Sequence, residues 1–154
     1  MDQAPDYEEI RQRAFRLLAR REHSEHELRQ KLIARGAVSE HLERLLPALK
    51  ADNYLSDQRF TDALVRNRIE RGQGPLKIRY ELNQKGVAAE LIELAVDETD
   101  PMWVKQLRSV WSKKFNNDMP KNYEQWARQA RFLQTRGFTT EQIRAVVSYR
   151  EQDR

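Results

Sequence analysis

Histidine is the side chain best suited to hold a metal or move a proton near neutral pH, and this sequence has three: His23, His26 and His41. His23 and His26 stand three residues apart, but a metal site needs three or four converging ligands and no acid completes a set here. The three read as surface histidines. Aspartates and glutamates are scattered over helical solvent positions, without the paired-carboxylate signature of general acid–base chemistry. Gly72 and Gly74 in RGQGP are too few for a phosphate loop, and no GK[ST] follows. Without a cysteine there is neither disulfide, thiolate metal site nor sulfur nucleophile. The chemistry-bearing residues thus argue against an enzyme, and call for no metal and no cofactor.

Positive charge is the chemistry this chain does concentrate. Net charge is only +4, but its distribution is uneven. Residues 1–60 hold eleven basic and eleven acidic side chains, whereas 66–85 hold six and two, and 105–136 hold eight and two. Such clustering suits a polyanionic partner. Trp103, Trp111, Phe115, Tyr123, Trp126 and Phe132 interleave with the second cluster, a mixture that can stack on and neutralise single-stranded nucleic acid. Yet Trp103, Leu107 and Trp111 recur every four residues, and that spacing reads as a helix's core stripe.

The elements that must carry these side chains are helices arranged in an internal repeat. SEHELRQKLIARGAVSEHLERLL (24–46) lies without a gap over GPLKIRYELNQKGVAAELIELAV (74–96). QWARQARFLQTRGFTTEQIRAVV (125–147) is a weaker third copy, and Gly36, Gly86 and Gly137 mark the period. Leu28 with Leu32, and Ile78 with Leu82, put one apolar stripe on the second helix of a copy; Gln129 breaks the stripe in the third. Ser24 with Glu27, and Thr139 with Gln142, have capping-box spacing, and Gly74–Pro75 offers a permissive cap with proline in the first turn. Each repeated glycine follows a basic residue and occupies the turn beyond a helix C-terminus. The third helices are expected from Ser39, Ala88 and Thr139. A first helix precedes each pair, at about 7–21, 57–71 and 101–115, with Ser56, Asp57 and Asp100 as caps. Disorder is expected only at 1–6 and 150–154.

The expected fold is therefore all-α, an elongated stack of three tandem three-helix (helix-turn-helix-like) repeats with about nine helices. Its modules are expected at 1–53, 54–99 and 100–154, neighbours completing one another's small cores. A 34% share of charged residues suits such a thin shape. With neither an apolar leader nor a long apolar run, the chain reads as a soluble, cytoplasmic protein.

LARREHSEHELRQKL, then YLSDQRFTDALVRNR, then GQGPLKIRYELNQKG resemble the RecX family of bacterial recombination regulators, with the repeats in the family's order and number from about Ala14 to Val147. The resemblance implies a negative regulator of homologous recombination and the SOS response. Such a protein binds the RecA recombinase filament on single-stranded DNA, along its groove. It inhibits ATP hydrolysis, strand exchange and coprotease activity, and has no catalytic residues. The expected partners are that filament and DNA itself, with no membrane, and the expected state is a monomer. The alternative is a helix-turn-helix DNA-binding transcription regulator, for which ELRQKLIARGAVSEHLERLL has the rhythm. Glu40, Glu90 and Glu141 stand where such a recognition helix would approach phosphates, which disfavours it.

The residues expected to meet RecA or DNA are Arg66, Arg68, Arg71, Lys77 and Arg79 in the middle module, and Lys113, Lys114 and Arg131 in the last. Leu76 and Tyr80 face away from Ile78 and Leu82, where the first module has only His26 and Gln30. An outward apolar pair is either an anchor for a partner or packing between modules, and stacked repeats favour packing.

Overall fold

The computed structural model describes residues 3–150. Nine helices and no strand occur among the described residues: α1 (Tyr7–Arg20), α2 (Glu25–Ala34), α3 (Ser39–Ala51), α4 (Asp57–Glu70), α5 (Pro75–Gln84), α6 (Ala89–Ala95), α7 (Met102–Phe115), α8 (Tyr123–Thr135) and α9 (Thr140–Val146). The all-α, three-repeat expectation is met, with helix starts within a residue of those read from caps and periodicity. Of the segments expected to be disordered, 1–2 and 151–154 lie outside the described residues. Asp6, by contrast, is the N-cap of α1 and accepts the Glu9 N–H at 2.8 Å.

By contact density the chain forms two compact units, Met1–Ala63 with Leu82–Ile92, and Leu64–Glu81 with Glu93–Arg154. Both take part of the middle repeat, whose Phe60, Leu64, Ile78, Leu82, Val87, Ile92 and Val96 are all buried.

The core of the first unit gathers Ile10 and Ala14 of α1, Leu28 and Leu32 of α2, and Leu42, Leu45, Leu46 and Leu49 of α3, with Leu55 beyond. These are the i,i+3 and i,i+4 positions of amphipathic helices, and each buried leucine contributes about 1.5–3 kcal/mol of transfer free energy. Leu17 and Leu18 lie only half-buried at its margin. Ser56 Oγ caps α4 by accepting the Arg59 N–H at 3.1 Å, whereas the Asp57 carboxylate serves α2 instead, accepting the Glu25 N–H at 2.8 Å.

In the second unit α7 packs on α8 and α9, burying Leu107, Trp111, Ala130, Leu133, Phe138, Ile143, Val146 and Val147. Trp103 and Trp111 are core residues, as their spacing indicates. Gln129 is buried too, although it breaks the apolar stripe. Trp111 Nε1 donates to its Oε1 at 2.7 Å, and its own Nε2 donates to the Asp118 carbonyl at 2.9 Å. A bulky indole with one N–H needs a buried acceptor, and glutamine supplies it where the other copies have an aliphatic side chain. The expected box at Thr139 and Gln142 is complete, with N–H to side-chain distances of 3.0 and 2.9 Å.

Candidate partner-binding site

A helix leaves its first N–H and last C=O groups without intrahelical partners. Each unit contains one joint in which the start of one helix meets the end of another, and so satisfies some groups of each set. In the first unit the Ser24 hydroxyl accepts the Glu27 N–H at 3.0 Å and donates to the Lys85 carbonyl, just past α5, at 2.7 Å. In the second unit the Gly74 N–H donates to the Arg136 carbonyl at 2.7 Å, and the Leu76 N–H to the Gly137 carbonyl at 2.9 Å. Ser24 and Gly74 are equivalent repeat positions. A Cβ on Gly74 would lie 2.6 Å from the Gly137 carbonyl carbon, so glycine is what lets these two backbones touch. Gly137 itself, at φ +103°, turns the chain left-handed beneath Lys77.

Charge distinguishes the two joints. In the first, the Glu27 side chain is only 6% exposed and takes Arg21 at 2.7 Å, Lys85 at 2.9 Å and Lys31 at 4.0 Å. Burial alone would raise its carboxyl, but hydrogen bonds and charge from Arg21 and Lys85 outweigh that and hold it at about 2. The expected capping box is therefore only half formed, because Glu27 serves these cations rather than the Ser24 N–H. His23 belongs to the same cluster and, contrary to its surface reading, is 1% exposed. Its Nδ1 lies 3.1 Å from the Arg21 carbonyl and its Nε2 2.9 Å from Lys31 Nζ. Those partners select the neutral ring with Nδ1 protonated. Burial, then the Arg21 and Lys31 charges, lower its pKa against the opposing pull of the carbonyl and Glu27.

In the second joint the place of Glu27 is taken by Lys77, that of Arg21 by Arg71 and that of Lys85 by Arg136. Among the described residues none of these three has a carboxylate within ion-pair distance. Arg136 donates to the Arg71 carbonyl at 3.1 Å, and its guanidinium lies 5.0 Å from the Phe132 ring centre. Lys114 Nζ lies 5.3 Å from the same ring. Beside them opens a cleft of about 390 Å³, lined by Arg71, Lys113, Lys114 and Arg136 with Phe132 and a single acid, Glu70. Four cations against one acid give the hollow an excess of positive charge.

Of the residues expected to bind, the cleft brings together Arg71, Lys113 and Lys114. It adds Arg136, which its position marks only as a helix-end cation, and the half-buried Phe132; the alignment of Arg136 with Lys85 is the signal that finds it. Lys77 is exposed, with its Cβ against Gly137. Arg66 and Arg131 are exposed but do not line the cleft. Arg68 differs from the others in being paired within the protein, its guanidinium engaged by Glu81, at 2.8 Å from Nε and closer from Nη2. Arg79 is half-buried, donating weakly to the Val96 carbonyl at 3.4 Å. It also adds a minor share to the lowering of the Asp97 carboxyl, which hydrogen bonds from Thr99 dominate. Leu76 and Tyr80 are exposed by 44% and 67%, leaving apolar surface uncovered beside Lys77. Among the described residues, no cluster of His, Asp or Glu has metal-site geometry, and no helix is long and apolar enough to cross a membrane.

Comparison with known proteins agrees with the repeat. The family models of the first, second and third three-helix domains of RecX match residues 11–46, 56–96 and 102–147. The chain is 42% identical over 146 residues to "Regulatory protein RecX" of Halorhodospira halophila, covering 95% of this chain and 91% of that one. It is 40% identical over 144 residues to the protein of the same name from Pseudomonas fluorescens, covering 94% and 93%. The crystal structure of RecX from Lactobacillus salivarius superposes with a TM-score of 0.77 at 18% identity, over 91% of this chain and 93% of that one. A second crystal structure of a regulatory protein RecX gives 0.78 at 21% identity, over 91% and 72%. The chain belongs to the RecX family of regulatory proteins.

Proposed function

We propose that this protein binds the RecA filament on single-stranded DNA through the basic joint and cleft of its second unit, and thereby restrains ATP hydrolysis, strand exchange and coprotease activity. The negative regulation of recombination and of the SOS response follows from that restraint. The observation that carries this reading is the replacement of Glu27 by Lys77 at an otherwise equivalent joint, which leaves Arg71, Lys77 and Arg136 without an acid. Unneutralised surface cations are costly to keep together unless a polyanion or acidic surface meets them. The contact is charge-driven, so binding weakens steeply as salt rises. Leu76 and Tyr80, exposed beside Lys77, supply the apolar anchor that fixes register.

The protein works in the cytoplasm as a monomer of three modules, 1–53, 54–99 and 100–154, with direct contact to DNA phosphates part of the interaction. A helix-turn-helix reading has less support. Its recognition helices would be α3, α6 and α9, of which α6 and α9 have seven residues each, and all three carry glutamate in the first turn.

The test is ATP hydrolysis by RecA on single-stranded DNA, titrated with this protein. Hydrolysis is expected to fall as the protein approaches stoichiometry with bound RecA. Unchanged hydrolysis and filament length at excess would refute the reading. Tight, sequence-dependent binding to duplex DNA without RecA would put a transcription regulator in its place.

A further inference from the structure

Beyond the basic cleft, the second unit carries a separate hollow of about 300 Å³ lined by Tyr123, Trp126, Arg144, Val147, Ser148 and Tyr149. None of these residues lines the cleft. Its walls are three aromatic rings in mutual contact. Tyr123 and Trp126 are stacked with centres 6.1 Å apart, and Tyr149 meets each of them at 6.4 Å. The indole is held from behind, its Nε1 donating to the Val147 carbonyl at 3.0 Å, while the Tyr123 side of the group stays open, with that residue 60% exposed. Closing a core does not require a ring left as open as Tyr123.

The geometry points to a subsite for one unstacked nucleobase of single-stranded DNA. A flat base gains most from an aromatic face that is rigid and already desolvated on its far side, and Tyr123 backed by Trp126 is such a face. A base sandwiched between two rings needs them roughly 6.8 Å apart, twice the 3.4 Å base rise. The three rings are closer than that, so the base lies on the open face rather than between them. Charge selects the ligand class. Among the described residues, Arg144 is the one cation lining the hollow and no carboxylate lines it. A cationic side chain from a partner would meet a like charge there, whereas the phosphate attached to a base meets an opposite one. The choice of single-stranded DNA as ligand rests on the function proposed above; the site itself rests on the rings and Arg144.

Binding of the full chain to two twelve-nucleotide oligomers at low salt, without RecA, tests this. One is oligothymidine and the other carries abasic sugars on the same phosphates. The oligothymidine is expected to bind about tenfold more tightly and to quench tryptophan fluorescence, which the abasic strand does not. Tyr123→Ala should abolish the difference between the strands and leave the salt dependence unchanged, while Tyr123→Phe, which keeps the ring, should preserve it. Arg144→Gln should weaken both strands alike. Tyr123 and Arg144 are exposed, so these variants keep the fold. Equal affinity for the two strands, no binding of either, or a preference that survives Tyr123→Ala would overturn the inference. Equal affinity combined with intact, Tyr123-dependent inhibition of RecA would assign the hollow to a protein partner and leave the proposed function standing. Base-dependent binding with no effect on RecA hydrolysis would do the reverse.

Discussion

The two helix-end joints are built on the same repeat positions and solve their electrostatics in opposite ways. At the first, one buried carboxylate, Glu27, gathers Arg21, Lys31 and Lys85, and a serine hydroxyl bridges the helices. At the second, backbone meets backbone through Gly74 and Gly137, and a lysine stands where the glutamate was. Closing a joint by backbone hydrogen bonds removes the need for an internal ion pair. The cations around it are then released for other work. The first joint is a structural device, and the second holds together while presenting charge.

The largest effect that would break this comparison is steric. A Cβ at Gly137 would lie 2.5 Å from Lys77 Cβ, 2.7 Å from its backbone nitrogen and 3.0 Å from the Gly74 carbonyl, at a φ that L-residues rarely adopt. Gly137→Ala should cost about 3 kcal/mol in chemical denaturation, strain and overpacking together. Gly86→Ala at the first joint, at φ +74° and with His26 Cβ 2.5 Å away, should also be costly, but less so, because no backbone atom stands in its way. Equal losses would show that the second joint does not depend on direct backbone contact.

Next is the ionic cluster. The Glu27 carboxyl is held at about 2 in the folded protein against an ordinary 4.5. Because the folded value is the lower one, the stabilisation is fully present above about 4.5 and is lost as pH falls towards 2. It amounts to about 3 kcal/mol at neutral pH. Glu27→Gln should remove most of it and flatten the acid limb of a stability–pH curve, which thermal melts between pH 2 and 7 would measure. His23, also lowered, acts in the same direction at higher pH, its contribution fading as pH falls below its ordinary 6.5. A change in acid stability on replacing Lys77 instead would contradict the assignment of the carboxylate device to the first joint.

The apolar pair should separate binding from folding. Leu76→Ala with Tyr80→Ala is expected to leave stability within about 0.5 kcal/mol, since both are exposed. The same pair should weaken filament binding about tenfold, as loss of an interface anchor does, measured by sedimentation with RecA on DNA. Smallest is Arg68→Lys, which loses the forked contact with Glu81 and should cost about 0.5 kcal/mol in stability with no change in binding.

Much of this fold is legible in the sequence because the repeat is local. Leu28 with Leu32, Ile78 with Leu82, and Thr139 with Gln142 declare helices and caps within four residues of themselves. What escaped such reading depends on partners far along the chain. Ser24 and Glu27 fit a capping box, but Lys85, some sixty residues on, takes the glutamate. His23 looks solvated until Arg21 and Lys31 enclose it. Gln129 looks like decay of the repeat until the Trp111 indole is placed above it. How much of Leu76 and Tyr80 stays exposed is likewise not written in a helical wheel, which cannot distinguish a face covered by a neighbouring repeat from one left open. Arg136 was visible only as a helix-end cation, and its part in the cleft required knowing that Lys113 and Lys114 line the same hollow.

The charge swap Lys77→Glu tests the central claim most directly. It restores at the second joint the acid that neutralises the first, at an exposed position where stability should hardly change. Inhibition of RecA ATP hydrolysis on single-stranded DNA, titrated with wild-type and variant protein at fixed salt, should then require at least roughly tenfold more of the variant, with a shallower salt dependence. Superimposable titrations from two equally stable proteins would contradict the account, because the open cations of the second joint would then have no part in binding.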